Sequence, residues 1–227
     1  MNPTHLCYRL KRVFAASAGR PSVAAIAVAS SLALLWMAEP AAAQAIEAKA
    51  AGTSASKLVY EGEAFERSAL VSGNELRLNG LGVRQVAWFK AYLAALYLSQ
   101  PASTAAQAMA APAAKRIHLR MLHDVPAVEF SKAVRKGMER NVAAGQASVL
   151  QERMERFVKQ IDALGKVRKR DAVDLDYDPA RGLVMSINGA TQGEPIAGDD
   201  FYAALLRSFV GSVPYDEKMR DGLLGKP

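Results

Sequence analysis

The sequence predicts an α+β domain in which an antiparallel sheet is covered by helices on one face. Short strand-like segments come first, two amphipathic helices follow over about residues 126–164, and strands and a further helix return after them. Strands grouped before and after helices, and not alternating with them one by one, are typical of antiparallel sheets. The sequence has no internal repeat or linker, so we expect one domain at residues 57–227.

The first 43 residues are predicted to be a secretory signal peptide (1–43). A basic leader precedes an uncharged apolar run at 23–37, and small residues surround a cleavage site near Ala43. This order is typical of secretory signals, so we expect a secreted, periplasmic protein. An uncleaved anchor is the alternative, although a membrane span needs roughly 20 apolar residues. Residues 44–56 have the composition of a disordered tail.

The leader also contains the one cysteine, Cys7, and much of the basicity. Four basic residues and one acidic residue precede Ala43, so the formal net charge of +7 becomes about +4 after cleavage. The mature chain of about 184 residues is long enough for one self-sufficient core and has no disulfide. Its mild basicity gives little support for a nucleic-acid partner, and we expect none.

The strands predicted before the helices are short. They lie at 58–60, 69–71 and 76–78. Ser72–Asn74 and Asn79–Gly80 supply turn chemistry that tolerates positive φ. The most apolar mature segment, Val83–Leu98, begins like a strand, whereas its alanine- and leucine-rich end is also compatible with a helix. As one strand it is apolar on both faces, which predicts burial between two layers.

Two amphipathic helices are predicted next, the first opening at Pro126 and the second ending at Gly165. Ser103 is expected to cap a short helix before them, and Asp199 or Asp200 a later one. The remaining predicted elements are strands at 116–122, 172–177 and 183–187 and a last helix from Pro214 to about Leu224.

Motifs for several common chemistries are missing from the sequence. It has no phosphate loop and no nucleophile elbow, and Gly80–Gly82 is a fragment of a dinucleotide-binding fingerprint better explained as a turn. Asp174, Asp176 and Asp178 share one strand face but lack the glycine and glutamate of a calcium loop, which favours a solvated face. We therefore expect no metal and no cofactor.

A basic face extends over residues 153–170. Its members are Arg153, Arg156, Lys159, Lys166, Arg168, Lys169 and Arg170. A solvated helix face that runs into a loop accounts for such a set, and the alternative is contact with anionic lipid heads or a partner.

One longer signature extends over about residues 57–225. Its segments are Leu78–Arg84, Phe89–Tyr92, Ala95–Leu98, Phe201–Gly211 and Pro214–Gly225. In this order they resemble the chalcone isomerase family, which includes plant chalcone isomerases, plant fatty-acid-binding relatives and bacterial secreted members. The resemblance implies an open-faced β-sandwich, a broad antiparallel sheet backed by a layer of helices, with the ligand cleft between sheet and helices.

The resemblance implies ligand-binding roles for three residues. Arg84 matches the arginine that meets the anionic oxygen or carboxylate of the ligand, and a guanidinium suits a carboxylate. Tyr92 falls where the isomerases have threonine and the fatty-acid binders tyrosine, and Ser208 at a Ser/Thr position that lines the cleft. Arg84 and Tyr92 are eight residues apart, so on one unbroken strand they share a face. Alternatively, Arg84 pairs with an acidic side chain and Tyr92 is an ordinary strand residue.

The sequence departs from the isomerase pattern at two positions. Phe130 falls where the isomerases have a catalytic-site tyrosine, and Gly137 where they have asparagine. One arginine in an apolar pocket binds an anion but positions a substrate poorly for ring closure. We therefore expect a non-catalytic binder of a fatty-acid-like amphipathic anion, to which each buried methylene contributes about 0.8 kcal/mol.

Two other functions stay open. One is an isomerase, an intramolecular lyase acting on a chalcone-like phenolic or enone substrate, with Tyr97 or Tyr202 replacing the lost hydroxyl. The other is a structural or interaction protein whose cleft is filled by side chains. The sequence leaves ligand identity and oligomeric state open.

Overall fold

A computed structural model describes residues 56–142 and 145–226 of the chain. The strands in these ranges are β1 (Lys57–Tyr60), β2 (Glu63–Glu66), β3 (Ser68–Val71), β4 (Asn74–Val86), β5 (Phe89–Leu98), β6 (Lys115–Met121), β7 (Val125–Pro126), β8 (Lys166–Val167), β9 (Ala172–Asp178), β10 (Gly182–Ile187) and β11 (Ala190–Ile196). The helices are α1 (Ala105–Ala110), α2 (Ala127–Asn141), α3 (Ala147–Asp162), α4 (Asp199–Val210) and α5 (Glu217–Leu223). The predicted signal peptide, and the predicted tail except for Ser56, lie outside the described residues.

Seven of the described strands form one antiparallel sheet in the order β11-β10-β9-β6-β5-β4-β3. β1 pairs with β2 and β7 with β8 in two small sheets. The helices share one core with one face of the large sheet, called here the helix side, so the predicted α+β class is confirmed. The opposite, outer face has a smaller core beneath the β1–β2 hairpin. No helix within 56–142 and 145–226 is long and apolar enough to cross a membrane.

The apolar segment Val83–Leu98 forms parts of two strands and not one strand, which corrects the sequence prediction. β4 ends at Val86, β5 begins at Phe89, and Ala87 and Trp88 join them. Two-residue hairpin loops favour Asn or Gly because they need positive φ. Ala87 adopts a φ of 51° without being either, so this turn has no signal in the sequence.

β5 is buried on both faces, as its composition predicts. Tyr92, Leu96 and Leu98 belong to the helix-side core. Leu93 and Tyr97 belong to the outer core. Fully burying a large apolar side chain contributes about 1.5–3 kcal/mol, so β5 anchors both layers to the sheet.

Helix α5 packs directly on the backbone of β4, and glycines make this contact possible. A Cβ atom at Gly80 would overlap the carbonyl oxygen of Gly222, and one at Gly82 would overlap Met219. Both glycines lie within β4, so the turns predicted at Asn79–Gly80 and Gly80–Gly82 are wrong. Their function is to let a helix approach a strand without side chains between them.

The helix starts differ from the predicted ones by a residue or two. Thr104, not Ser103, caps α1 and forms a capping box. Gly198, with a φ of 104°, precedes α4, and Asp199 and Asp200 lie in the first turn of that helix. Acidic residues there favour the helix through its dipole and not as caps.

The aspartates on the outer face are paired and not solvated, which corrects the sequence prediction. Arg116 donates two hydrogen bonds of 2.6 Å to Asp176. His118 Nδ1 lies 2.7 Å from Asp174 Oδ1. The side chains of the two aspartates are only 14% and 13% exposed. In the part of the chain that the structure describes, no three His, Cys, Asp or Glu side chains are grouped to hold a metal ion.

Candidate ligand-binding site

Arg84 and Tyr92 are direct cross-strand partners near the β4–β5 turn. Directly opposite residues of an antiparallel pair project from the same face, with Cβ atoms about 4.5–5.5 Å apart. Tyr92 belongs to the helix-side core, so both side chains lie between sheet and helices. The prediction that they share a face is right, but its reason, one unbroken strand, is wrong.

Arg84 is held by the loop between α4 and α5. Its Nη1 donates to the carbonyl oxygen of Tyr215 at 2.5 Å and lies 3.6 Å from Asp216 Oδ2. The Arg84 side chain is 26% exposed and that of Asp216 17%. Asp216 is therefore an acidic partner of Arg84, as the alternative interpretation of the sequence expects.

Tyr215 fills the space between the sheet and helix α2. Its ring lies against Gly137, where a Cβ atom would overlap it. The ring of Phe209 meets it edge-on, with 5.0 Å between centroids. The Tyr215 hydroxyl lies 3.4 Å from the carbonyl oxygen of Val134. Residues from α2 and α4 thus enclose this one side chain.

Ser208 borders the same ring. It is fully buried on α4, its Oγ donates to the carbonyl oxygen of Ala204 at 3.2 Å, and it lies near enough to the Tyr215 phenol to lower the pKa of that phenol. The backbone N–H of Tyr215 donates to the Ser208 carbonyl oxygen at 2.7 Å. The structure therefore gathers Arg84, Tyr92 and Ser208 around Tyr215.

Burial keeps both phenols of this group neutral. Desolvation raises the pKa of Tyr92 far above its usual value, and Arg84 offsets only part of this rise. Desolvation, with a contribution from Tyr92, likewise raises the pKa of Tyr215. Both hydroxyl groups keep their protons at neutral pH and remain hydrogen-bond donors. The site therefore combines a permanent cation with two neutral donors.

Sequence reasoning missed Tyr215. Pro214 was predicted to open the last helix, but Pro214 and Tyr215 lie in the loop before α5. The available signal was Gly137, in the middle of the amphipathic helix α2. A glycine there costs about 1 kcal/mol relative to alanine, which indicates a close neighbour on that side.

The other aromatic residues considered at this site have different places. Tyr97 lies on the outer face, where its hydroxyl donates to the Glu66 carbonyl oxygen at 2.8 Å. Tyr202 donates to the Leu175 carbonyl oxygen at 3.2 Å. Phe130 is buried in the helix-side core. The hydroxyl that lies against Gly137 is that of Tyr215.

The residues of the basic face of 153–170 lie on helix α3, in strand β8 and in the loop after β8. Arg153 on α3 donates hydrogen bonds of 2.7 and 2.6 Å to Asp200. Lys166 pairs with Asp124 at 3.3 Å. Residues 168–170 are exposed in the loop between β8 and β9, so their charges face solvent.

Comparison with known proteins agrees with this fold. The family model described as chalcone isomerase-like matches residues 57–225. A solved structure of a fatty-acid binding protein from Arabidopsis thaliana is similar, at 18% sequence identity and a TM-score of 0.57, covering 74% of this chain and 95% of that one. Among curated proteins, no sequence matches significantly. Because the family model spans well over half of the sequence, the chain belongs to the chalcone isomerase-like family.

Proposed function

We propose that this protein is a non-catalytic, periplasmic binder of a fatty-acid-like amphipathic anion whose head group is held by Arg84 and Tyr92. The observation that carries the proposal is the cross-strand pair, which places a cation beside a neutral phenol on the helix side of the sheet. Together they offer several donors to one carboxylate, and charge-assisted hydrogen bonds are the strong ones.

The loop between α4 and α5 occupies the place of the ligand in this proposal. The Tyr215 carbonyl oxygen and the Asp216 carboxylate are the oxygens next to Arg84 that a ligand carboxylate would replace. The Tyr215 ring takes apolar space beside Phe209 that the tail would fill. Each tail methylene that becomes buried contributes about 0.8 kcal/mol, which offsets the cost of moving the loop.

Two observations favour binding without catalysis. By the resemblance to the isomerases, Phe130 and Gly137 fall where those enzymes have a tyrosine and an asparagine, which implies that those polar groups are missing. The similar Arabidopsis structure is that of a protein named for fatty-acid binding. Binding energy without groups that position a reacting atom gives affinity and not rate.

The structural or interaction hypothesis also has a specific observation in its favour. The chain itself supplies the acceptors of Arg84 and the ring that fills the cleft. On that hypothesis Tyr215 stays in place and no ligand enters. The isomerase hypothesis, in contrast, now depends on the Tyr215 hydroxyl, because Tyr97 and Tyr202 lie elsewhere.

For the basic face, we propose that residues 168–170 contact anionic lipid heads. Trp88 at the β4–β5 turn is 89% exposed, and a series of ring contacts leads from it through Phe89 to His123. The next residue, Asp124, accepts a hydrogen bond of 2.9 Å from the backbone of Lys169. An exposed tryptophan beside basic residues suits a membrane surface, where each basic residue contributes about 1 kcal/mol.

This contact is tested with vesicles that contain anionic lipid, followed by Trp88 fluorescence. Arg168→Glu with Lys169→Glu is expected to abolish binding. Arg156→Glu with Lys159→Glu, a matched charge reversal on α3, is expected to retain most of it. Equal loss in both double variants would mean that net charge alone attracts the protein.

Head-group binding is tested by native mass spectrometry of the protein purified from its secretory compartment. We expect a lipid-sized adduct on the wild type and on Arg77→Ala, an exposed control on the same strand, but not on Arg84→Ala. An adduct that Arg84→Ala retains would remove Arg84 from the site. Folded protein without adduct in every case would favour the filled-cleft hypothesis.

A further inference from the structure

A separate cavity lies at the other end of the helix side of the sheet. It has a volume of about 280 Å³, and its walls include Met109, Lys115, Tyr177, Asp199, Tyr202 and Leu206. Lys115 is paired with Leu98 on β5, whereas Arg84 is paired with Tyr92. Six residues of strand separate the two pairs, which is about 20 Å at 3.3 Å per residue. The cavity is therefore distinct from the Arg84 site.

Lys115 is a buried cation in this wall. It occupies the first of the helix-facing positions of β6, where Ile117, Leu119 and Met121 follow, and it is only 7% exposed. Its backbone is paired with the neighbouring strands, but within residues 56–142 and 145–226 its side chain has no hydrogen bond and no ion pair. Its ammonium lies 5.1 Å from the centre of the Tyr177 ring.

No side chain or backbone group in the described ranges accepts a hydrogen bond from the Lys115 ammonium, and the residue lines the cavity. A cation–π contact contributes about 0.5–2 kcal/mol, and it does not replace the hydrogen bonds that the ammonium makes in water. Burial accordingly lowers the pKa of Lys115, and the Asp199 carboxylate opposes this only at a distance. Lys115 therefore offers the cavity a cation whose donors are available to an oxygen ligand.

We propose that this cavity binds a small monocarboxylate with an apolar body, whose carboxylate accepts hydrogen bonds from Lys115. The Tyr177 and Tyr202 rings, 5.2 Å apart between centroids, and the Leu206 side chain form the surface for the apolar body. The volume holds on the order of ten to fifteen non-hydrogen atoms at the packing density of a protein interior. A medium-chain fatty acid or an arylalkanoic acid has this size.

The charge of Asp199 lets the proposal predict the direction of a change in affinity. Its carboxylate lies in the cavity wall and has the same charge as the ligand, so it opposes anion binding. Asp199→Asn is therefore expected to strengthen binding severalfold. Lys115→Met, of similar length and without charge, is expected to weaken binding by about tenfold or more, because it removes a charge-assisted hydrogen bond.

The experiment is a titration of the protein with octanoate, followed by the methyl resonance of Met109 and the ring resonances of Tyr177. We expect saturable shifts in the wild type, in Arg84→Ala and in Lys159→Met, an exposed lysine control. Lys115→Met is expected to lose them while it melts at a higher temperature than the wild type, because no charge remains buried.

Two results would overturn the proposal. One is octanoate shifts of the same size and midpoint in Lys115→Met and the wild type. The other is the absence of shifts at Met109 and Tyr177 in the wild type. If octanoate binds and Arg84→Ala alone abolishes it, the Arg84 site is supported and the Lys115 site is refuted, so the two proposals fail separately.

Discussion

Positively charged side chains on the two faces of the sheet have different kinds of partners. On the outer face, Arg116 meets a carboxylate on the neighbouring strand β9. On the helix side, Arg84 is held by a loop, and Lys115, the residue next to Arg116, has no ion pair within the described residues. A cation matched within the sheet keeps strands in register. A cation matched by a loop, or left unmatched, is available to a ligand.

The largest expected effect is on the outer face. Arg116→Met is expected to lower the free energy of unfolding by about 3–5 kcal/mol, because it leaves Asp176 buried without its partner. Desolvation already raises the pKa of Asp176 although Arg116 opposes the rise. The measurement is urea denaturation at neutral pH.

The control is the double variant Arg116→Met with Asp176→Leu. Because apolar residues often replace a buried ion pair without loss, we expect it to recover most of the stability of the wild type. A double variant less stable than Arg116→Met would show that the pair itself, and not the orphaned carboxylate, holds the outer face.

The next effect is on the helix side. Tyr215→Ala is expected to cost about 3 kcal/mol of stability, since it empties the space beside Gly137. Under the binding proposal the same change strengthens the binding of a long-chain fatty acid, because the ligand no longer displaces the ring. Tyr215→Phe, which retains the ring, is the matched control and should leave affinity near that of the wild type. Affinity that falls together with stability would contradict the displacement of Tyr215.

The smallest expected effect on the free energy of unfolding is that of Asp178, whose carboxylate accepts hydrogen bonds from nearby donors. Arg181, Ser72 and the backbone of Ala180 hydrogen-bond this carboxylate at 2.8 Å each and lower its pKa to about 2 from 3.8. A lowered pKa gives stability that is complete above pH 4 and is lost as the pH falls toward 2.

We expect less than about 1 kcal/mol from Asp178, because its partner Arg181 is half exposed. Acid titration of the unfolding free energy of wild type and Asp178→Asn measures it. The two curves should converge near pH 2, and parallel curves would exclude a role for this ionisation.

The parts of the fold that the sequence predicts are those with a local physical cause. The helical spacing of apolar residues in α2 and α3 is visible without knowing what they pack against. The two-sided apolar pattern of β5 is visible in the same way. β11 was not predicted because it is an edge strand, mostly exposed and without apolar alternation. The β4–β5 turn was not predicted because Ala87 and Trp88 are not turn residues.

The residues of the candidate site were predictable only in part. Arg84, Tyr92 and Ser208 were found through a resemblance, and the structure brings them together. Tyr215 depends on a contact with Gly137, 78 positions earlier in the sequence. Nothing local in either residue reveals its partner. Pairing across such distances is decided by the packing of the helices and not by the pattern of either segment.

The glycine contact between α5 and β4 has a consequence for the rate of ligand uptake. With backbone packed on backbone at Gly80 and Gly82, α5 cannot move away without breaking the contact. Tyr215 therefore leaves its place only by rearrangement of the short loop before α5. If this unimolecular step precedes binding, the observed association rate levels off at high ligand concentration, and its plateau is the opening rate of the loop. The two glycines would then confine the rate-limiting motion to this loop, although neither touches the ligand.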